Sequence, residues 1–479
     1  MLQLALVTAC TVGPNYVRPT AEAPSSFKEL QGWKVAQPKD NVIRGAWWVM
    51  YNDPQLNSLE EQVNISNQNI AAAEAQFREA RAQVQQARAG YFPTVAIVPS
   101  ATRSHSSSNS LISTTGSSTG LTANNFILPV DATWAPDVWG RIRRSVEASR
   151  ANAEASAADV GAARLIAHAE VAQDYFQLRA LDTQKQLLDA TVDVYKKFLE
   201  VTKNRYANGV VARSDVLVAE TQLNNAQAQD TDVGVQRAQL EHAIAVLIGK
   251  PASDFGIPAS PISLDAVPPA IPAGVPSELL ERRPDIASAE RLVAAANAQI
   301  GVAKAAFYPT ITLSASGGYQ SSSISNLLTL PSHIWAIGAT LSETLFDAGL
   351  RSALTDQSRA AYDANVAAYR QTVLAAFQNV EDYLAALRIL EQEAQEQDEA
   401  VKAARQSVVV FTNQYKAGIA SALDVITVQA IQLTNERTAI TILGNRMTDS
   451  VLLIEALGGG WNAEEQHAIM TGQEDFKGK

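Results

Sequence analysis

Apolar and polar residues recur with two different periods along the chain, and the period changes at prolines. Between residues 56 and 91, and again between 286 and 307, apolar side chains follow alternating steps of three and four residues. A mean spacing of 3.5 residues is typical of helices that wind against neighbours as a coiled coil. Pro93 and Pro309 follow these stretches, and proline ends a helix because it lacks the N–H and clashes with the preceding turn. The pattern predicts one helix before each proline.

The residues after each proline alternate with a period of two, which indicates β-strands. Small hydroxyl residues alternate with apolar ones along Thr310–Tyr319, and the alternation resumes along Trp335–Ser342. In the first half, Thr94–Ile97 and Phe126–Trp134 alternate in the same way around the Ser/Thr/Asn/Gly-rich loop 104–125. Such strands are typical of transmembrane β-barrels, but an ordinary half-buried hairpin shows the same alternation. The strand pattern alone leaves both interpretations open.

Two further stretches predict helices that are too long for a compact domain. Steps of three and four recur along Val366–Tyr415, and no Pro or Gly occurs between Arg351 and Lys416. The corresponding stretch of the first half is Ile142–Tyr206. At 1.5 Å per residue, such a helix is roughly 95 Å long. A pair of helices of this length suits the wall of a tube.

The chain contains a tandem duplication. Tyr206–Val216 returns 209 positions later as Tyr415–Val425, and Ile248-Gly249 returns at the same shift as Leu457-Gly458. Gly209 and Gly418 hold matching places after the long helices, where glycine allows a tight turn because it has no Cβ.

The duplicated pattern divides the chain into six segments. They are 1–10, a truncated lipoprotein signal ending at Cys10; 11–54, an extended N-terminal segment; 55–250, the first repeat, with a helix, a β-hairpin at about 93–136, a long helix at about 141–206 and a return helix at about 213–249; 251–283, a Pro-rich connector; 284–460, the second repeat, with a helix, a β-hairpin at about 309–346, a long helix at about 350–415 and a return helix at about 421–457; and 461–479, a polar tail.

The number of strands predicts an oligomer. Two hairpins provide about four strands per chain, whereas the smallest membrane barrels have about eight and open strand edges are not tolerated in lipid. A dimer would place about eight strands around a side-chain-filled interior, and a trimer about twelve around a lumen. We therefore predict a mainly α fold with a transmembrane β part. The chain would be one protomer of a trimeric 12-stranded β-barrel, continued by a long α-helical coiled-coil barrel in the periplasm.

Composition argues against several other classes of protein. The net charge of −11 over 479 residues excludes a nucleic-acid surface. No window approaches the ~20 continuous apolar residues of a spanning helix. The five histidines lack metal-ligand spacing, and neither a nucleophile elbow nor a phosphate-binding loop is present. The sequence therefore predicts that the chain is not an enzyme and has no metal site.

Cys10 is the only cysteine, so an internal disulfide is impossible. It follows Leu6-Val7-Thr8-Ala9, an apolar run ending in small residues, which resembles the end of a bacterial lipoprotein signal. A secretory signal usually has 15–30 residues and a basic start, whereas nine residues without Lys or Arg precede Cys10. Two interpretations remain: Cys10 is the acylated first residue of the mature chain behind a truncated or misassigned start, or it is an ordinary buried thiol.

Three strings resemble signatures of the TolC-like outer-membrane efflux channels, specifically their lipoprotein (NodT-type) branch. They are Val12–Pro19, Trp47-Trp48 with Asp53–Leu56, and Leu279–Ile286. The resemblance covers nearly the whole chain. It implies a homotrimer in the outer membrane that carries a covalent lipid on Cys10. It also implies docking to a periplasmic adaptor and an inner-membrane RND-type pump.

The function implied by this resemblance is that of an exit duct that passively conducts drugs, toxic compounds or metals out of the cell. A channel for type I protein secretion is the alternative within transport. A coiled-coil surface scaffold or adhesin is the alternative of a different class, and it would need no lipid-facing strands.

The resemblance also places the narrowest part of the channel at the helical turns of its far end. The candidate gate residues there are Asp424, Asp215, Tyr415, Tyr206 and Arg213. Three copies of an aspartate around a trimer axis would attract cations, but each aspartate could equally be a helix N-cap. The two tyrosines match positions that hold the entrance closed, but both also lie on the heptad register and could simply pack in the coiled coil.

An arginine that such channels often have in the second-repeat turn is absent. Ala420 and Ala422 occupy that region, whereas Arg213 lies in the first-repeat turn. We therefore expect any ion pairs of the closed entrance to be arranged differently here.

Overall fold

The computed structural model describes residues 11–21, 23–24, 26–30, 45–107, 122–271 and 282–461. The predictions for Cys10, for the signal 1–10 and for the tail beyond Trp461 lie outside these residues. Parts of the 104–125 loop and of the 251–283 connector also lie outside them. Among the described helices, none is both long and apolar enough to cross a membrane.

The main elements follow one another in the same order in both halves. They are α1 (Pro54–Ser66), α2 (Gln68–Ala89), β1 (Thr94–Ile97), β2 (Ser100–His105), β3 (Thr122–Trp134), α3 (Arg141–Ala207), α4 (Arg213–Leu247), α5 (Pro284–Ala305), β4 (Thr310–Ser321), β5 (His333–Ser342), α6 (Leu350–Lys416) and α7 (Ala422–Ala456).

The prediction of a single helix before Pro93 is wrong, because the helix is interrupted at Asn67. This residue has φ −65° and ψ 122°, outside the helical region. Its side-chain Oδ1 accepts hydrogen bonds from the backbone N–H groups of Asn69 (2.9 Å) and Ile70 (3.1 Å), and thus caps α2. Its Nδ2 donates to the carbonyl of Leu247 at 2.7 Å. The break therefore also ties this point to the end of α4.

The described chain forms two compact units, each assembled from both repeats. The first comprises the described parts of Met1–Pro19, Arg78–Ala155 and Glu290–Ala368, and the second comprises those of Thr20–Phe77, Ser156–Ala289 and Tyr369–Lys479. Both hairpins belong to the first unit, and both turns that follow the long helices belong to the second. The units thus cut across the duplication.

The first unit contains one antiparallel sheet with the order β1/β2–β3–β4–β5. β1 and β2 pair with the same strand in continuous register, since Ile97 lies opposite Val130 and Ser100 opposite Ile127. Pro99 lies between them and has no N–H to donate, so the hydrogen-bond ladder is interrupted while the register continues. The sheet therefore has four strand positions, and β3 joins β4 across the two repeats.

The register places most apolar residues of β1, β3, β4 and β5 on one face of this sheet. That face carries Val95, Ile97, Leu128, Val130, Ala132, Trp134, Leu313, Ala315, Tyr319, Trp335, Ile337, Ala339 and Leu341. The opposite face carries Asp131, Thr133, Thr312, Ser314, Ser316, Ala336, Gly338 and Thr340. Toward the loop end of the sheet it also carries Ile127 and Ile334, while Arg103 and His105 of β2 lie on the apolar face. The apolar face is strongly exposed in the single chain, since Trp335 and Ile337 retain 72% and 78% of their accessible surface.

Each long helix has 67 residues, which corresponds to about 100 Å. α6 contains neither Pro nor Gly, whereas α3 contains Gly161. A Cβ at Gly161 would lie 2.6 Å from the indole of Trp461, so this glycine makes room for an aromatic ring of the chain's C-terminal part. Both residues belong to the second unit.

The connector is held to the first-repeat helices of the second unit by a buried ion cluster. The Asp182 carboxylate accepts hydrogen bonds from the Arg179 and Arg237 guanidinium groups at 3.0 and 2.7 Å, and from the backbone N–H of Ser260 at 2.9 Å. Arg237 also donates to the carbonyl of Ile257 at 2.6 Å. α3, α4 and the connector are thereby joined at one point.

A buried acid–imidazole pair links α1 to α3 in the second unit. The side chain of Glu60 is fully buried, and its Oε2 lies 2.6 Å from Nδ1 of His168. Nε2 of His168 lies 3.1 Å from Oδ1 of Asn64, and the Trp48 ring stacks on the imidazole with a centroid separation of 4.5 Å. The Asn64 oxygen can only accept, so Nε2 carries the imidazole proton and Nδ1 accepts a hydrogen bond from the protonated Glu60 carboxyl.

Burial explains this protonation state. Desolvation raises the pKa of Glu60 well above its ordinary value. Desolvation, together with the nearby charge of Arg164, lowers the pKa of His168 to about 4. Both groups are therefore neutral in the folded protein at neutral pH, whereas an unfolded glutamate is ionised.

We predict that Glu60 makes the protein less stable as the pH rises. The folded state holds a proton that the unfolded state has released, so stability declines by up to about 1.4 kcal/mol per pH unit until Glu60 ionises. Glu60→Gln keeps a donor to Nδ1 and removes the titration. Thermal unfolding at pH 7, 8 and 9, where unfolded histidine is already neutral, should show the gap between variant and wild type widening in the variant's favour.

The control is Glu61→Gln, which removes the neighbouring exposed carboxylate. We expect it to follow the wild-type pH profile. Parallel profiles for wild type and Glu60→Gln would show that Glu60 is ionised in the folded protein.

Candidate functional site

The two turns that follow the long helices have the same backbone structure. Gly209 and Gly418 adopt positive φ values of 71° and 78°. The N–H of Gly209 donates to the carbonyl of Tyr206 and the N–H of Val210 to that of Arg205, both at 2.9 Å. Gly418 and Ile419 make the equivalent bonds to Tyr415 and Gln414. This Schellman motif needs a residue that tolerates the left-handed conformation, which explains the glycine of each repeat.

The start of α7 is closed by a complete capping box. Ser421 is the N-cap residue, and its Oγ accepts a hydrogen bond from the N–H of Asp424 at 3.2 Å. The Asp424 carboxylate in turn accepts from the N–H and the Oγ–H of Ser421 at 2.8 and 2.7 Å. These bonds lower the pKa of Asp424, although its side chain is exposed. The carboxylate is thus fixed in place and ionised at neutral pH.

The first-repeat turn has only half of this box. Ala212 takes the N-cap position and has no side-chain acceptor, while the Asp215 carboxylate accepts from the Ala212 N–H at 3.3 Å. The alternative that Asp424 or Asp215 is itself an N-cap is therefore wrong, because both occupy the third helical position. Their role in a gate stays a prediction.

The two candidate tyrosines have different environments although they occupy equivalent turn positions. Tyr415 is buried with 6% of its surface exposed, and it packs with Ala422 and Val425 of α7 and with Phe198 of α3. Tyr206 keeps 45% of its surface exposed. Packing within the single chain thus describes Tyr415, whereas Tyr206 is half-exposed there, and both interpretations of Tyr206 stay predictions.

An arginine does contact the second-repeat turn, but it is not Arg213. The Arg213 side chain is exposed at the start of α4. The guanidinium carbon of Arg205, near the end of α3, lies 4.4 Å from the ring centroid of Tyr415. The sequence contains no signal for this contact, because Arg205 reads as a basic residue near a helix C-terminus, which is a common placement.

The three signature strings tie chain segments to helix ends. In the first unit, Arg144 of α3 donates to the carbonyls of Val12 and Gly13 and to Oδ1 of Asn15 at 3.0–3.4 Å. A Cβ on Gly13 would lie 2.5 Å from Cα of Gly301, so the segment passes directly over α5. The string Val12–Pro19 is therefore a fitted segment rather than a free leader.

The other two strings lie in the second unit. The Asp53 carboxylate caps α1 by accepting from the N–H groups of Gln55 and Leu56, and it also accepts a hydrogen bond from the Tyr175 hydroxyl at 2.6 Å. Arg283 donates to the carbonyl of Ala456 at the end of α7 at 3.0 Å. Both strings therefore fix the ends of helices.

An aromatic cluster in the first unit marks the passage from strands to long helices. Trp139 stacks on Tyr308 with a centroid separation of 4.9 Å, and its Nε1 donates to the carbonyl of Pro309 at 2.7 Å. Thr11 lies against Gly140, since a Cβ there would be 2.9 Å from the Thr11 methyl group. The first described residue is thus held beside Trp139. Tryptophan and tyrosine are enriched at membrane–water interfaces.

Comparison with known families identifies this architecture. The family model described as outer membrane efflux protein matches residues 59–250 and 275–459, one match for each repeat. The chain belongs to the outer membrane efflux protein family. The predicted family is thereby confirmed.

Individual relatives agree along nearly their whole length. The chain is 30% identical over 476 residues to the probable efflux pump outer membrane protein TtgC of Pseudomonas putida, covering 97% of each chain. It is 28% identical over 461 residues to the cation efflux system protein CusC of Escherichia coli, covering 95% of this chain and 96% of CusC. The solved structure of the outer-membrane channel OprN matches with a TM-score of 0.87 at 28% identity, covering 94% of this chain and all of that one.

Proposed function

We propose that this protein is the outer-membrane exit duct of a tripartite efflux pump, and that it conducts small molecules passively rather than catalysing a reaction. The observation that carries the proposal is the sheet with one predominantly apolar face and an opposite face rich in small polar residues. Lipid suits the first face, and a watery lumen suits the second. Relatives are named for different cargoes, cations for CusC and toluene for the TtgC of another Pseudomonas putida strain, so the pump rather than the duct would select the substrate.

A homotrimer follows from the edges of the sheet. β1/β2 and β5 each have one side without a strand partner in the described chain. Backbone N–H and C=O groups must be paired in lipid, so each edge needs a strand from another copy. Three copies with four strand positions each make a barrel of about twelve strands, which is wide enough for a lumen.

The turns are the surface that we assign to the periplasmic adaptor, through which an inner-membrane RND-type pump would be joined. Apolar side chains remain exposed there: Val210 (59%), Ile419 (78%) and Leu423 (58%). Exposed apolar groups clustered in one place indicate a site for a protein partner. The adaptor's matching surface would therefore be apolar, with polar groups around it.

Lipidation of Cys10 is the remaining part of the proposal. The residue after it, Thr11, is held against Gly140, and the N–H of Val12 donates to the carbonyl of Trp139 at 3.2 Å. A lipid on Cys10 would thus start beside the aromatic cluster that we place at the membrane interface. This location favours the acylated residue over the buried thiol.

The barrel predicts a difference between the two faces of the sheet. Ile337→Arg puts a charge on the apolar face and should cost about 2–4 kcal/mol if that face meets lipid. Ala336→Arg, one residue earlier on the polar face, should leave assembly intact. We expect wild type and Ala336→Arg to run as heat-modifiable trimers and to conduct in planar bilayers, and Ile337→Arg to be defective in assembly. A water-soluble monomeric wild type would contradict the proposal.

Acylation can be followed by labelling with palmitate in a Gram-negative host. We expect label in the wild-type protein and none in Cys10→Ser, which should still form trimers because the barrel does not depend on the lipid. An unlabelled wild-type chain that reaches the outer membrane would assign Cys10 to a non-acylated role.

Asp424 is the candidate for cation selectivity. Its low pKa keeps the carboxylate charged, so Asp424→Ala should reduce cation selectivity at neutral pH and weaken the response of conductance to acid. Ser421→Ala is the control, since it removes the cap acceptor at a cost of about 0.5–2 kcal/mol but keeps the carboxylate. Equal currents for wild type and Asp424→Ala would assign this aspartate to capping alone.

A further inference from the structure

The end of α6 is held against α3 by the faces of the Tyr415 ring. The Arg205 guanidinium carbon lies 4.4 Å from the ring centroid, and the centroid of Phe198 lies 5.6 Å from it with an interplanar angle of 44°. Arg205 and Phe198 belong to α3, whereas Tyr415 belongs to α6. The Tyr415 ring of the second repeat thus contacts two side chains of the first repeat, Arg205 and Phe198.

The hydroxyl of Tyr415 takes no part in this contact. It is buried and has no hydrogen-bond partner among the described residues. A buried hydroxyl without a partner does not stabilise the arrangement, because it has lost its water and gained nothing in exchange. The interaction therefore depends on the π-system, which attracts a cation placed over its face.

The contact is specific to one of the two turns. In the duplicated alignment, Tyr206 corresponds to Tyr415, but Gln414 corresponds to Arg205 and Ser407 to Phe198. The second repeat therefore has neither the cation nor the second ring that would grip Tyr206, and Tyr206 is exposed. Of the two turns, only that of the second repeat thus has this contact. We call the contact of Tyr415 with Arg205 and Phe198 the latch.

Both partners sit on helix ends whose backbone is fixed. The carbonyl of Tyr415 accepts from the N–H of Gly418 at 3.0 Å, and that of Arg205 accepts from the N–H of Val210 at 2.9 Å. These Schellman bonds hold each helix end in a fixed backbone conformation, so movement of the end of α6 away from α3 as a unit would separate the two side chains.

We propose that Arg205 is a gate residue: its cation–π contact with Tyr415 holds the turn end of α6 on α3 and keeps the periplasmic entrance narrow. This role rests on the proposed function as a duct. Arg205 takes the place of the arginine that is absent from the second-repeat turn, and it acts within one protomer. The entrance then widens only when the Tyr415 ring leaves the Arg205 guanidinium. An adaptor that moves α6 would separate these two groups.

The first test is conductance of the full-length protein in planar bilayers. Arg205→Gln should raise the open-to-closed ratio about 2- to 30-fold, the range that corresponds to a single cation–π contact. Tyr415→Phe keeps the aromatic face and should behave as wild type, whereas Tyr415→Leu should open the channel as Arg205→Gln does. Lys203→Gln is the matched control, since it removes an exposed positive charge from the same end of α3 and should change nothing.

Two results would overturn the latch. Wild-type behaviour of Arg205→Gln would show that the guanidinium does not hold the entrance. Opening of Tyr415→Phe to the same extent as Tyr415→Leu would assign the hold to the hydroxyl.

The second test needs no channel activity. A double-mutant cycle of Arg205→Gln and Tyr415→Leu on the unfolding of the purified protein should show coupling, with the double variant less destabilised than the sum of the single effects. Additive effects would overturn the contact. If the cycle shows coupling but the wild-type protein forms no pore in bilayers, the contact between the two residues stands. The proposed duct is then overturned, and the gate role with it.

Discussion

The obligation of every backbone N–H and C=O to find a partner governs this protein, because its sheet presents an apolar face and two incomplete edges. Along β1/β2 and β5 one row of these groups lacks a strand partner within the described chain. Water could satisfy them at a soluble surface, but the exposed Trp335, Ile337 and Leu341 make such a surface unfavourable. Lipid can cover the apolar face of the sheet, but it cannot pair the backbone N–H and C=O groups of the two edges. Additional copies of the chain resolve both demands, and a closed barrel is the result.

The duplication supplies two nearly identical backbones, and function depends on how their side chains have diverged. Both long helices end in a Schellman turn with glycine, and both return helices place an aspartate at the third position. Ser421 completes the capping box in the second repeat, while Ala212 leaves it half formed in the first. Tyr415 is gripped and Tyr206 is exposed. A symmetric fold has thus acquired one turn that is more firmly held than the other.

Specific polar contacts fix the ends of several helices and the segments beside them. Asn67, Asp53 and Arg283 each bind a helix terminus, and the Asp182 cluster fastens the connector. The Glu60–His168 pair adds a buried contact that is neutral because burial disfavours both charges. Such buried polar contacts favour one arrangement among the many that apolar helices could adopt.

The sequence by itself determined the secondary structure, the duplication and the family. Periods of 3.5 and 2 separated helices from strands, the prolines marked where they change, and Gly209 and Gly418 located the turns, since these signals depend on local backbone chemistry. The break at Asn67 was missed because its cap competes with an otherwise regular heptad. Tertiary structure alone decided which tyrosine is buried, that Arg205 rather than Arg213 meets it, and that Glu60 lies beside His168. Each of these contacts joins segments that are far apart in the chain and come together only when the helices pack. The local sequence pattern around each residue therefore does not predict them.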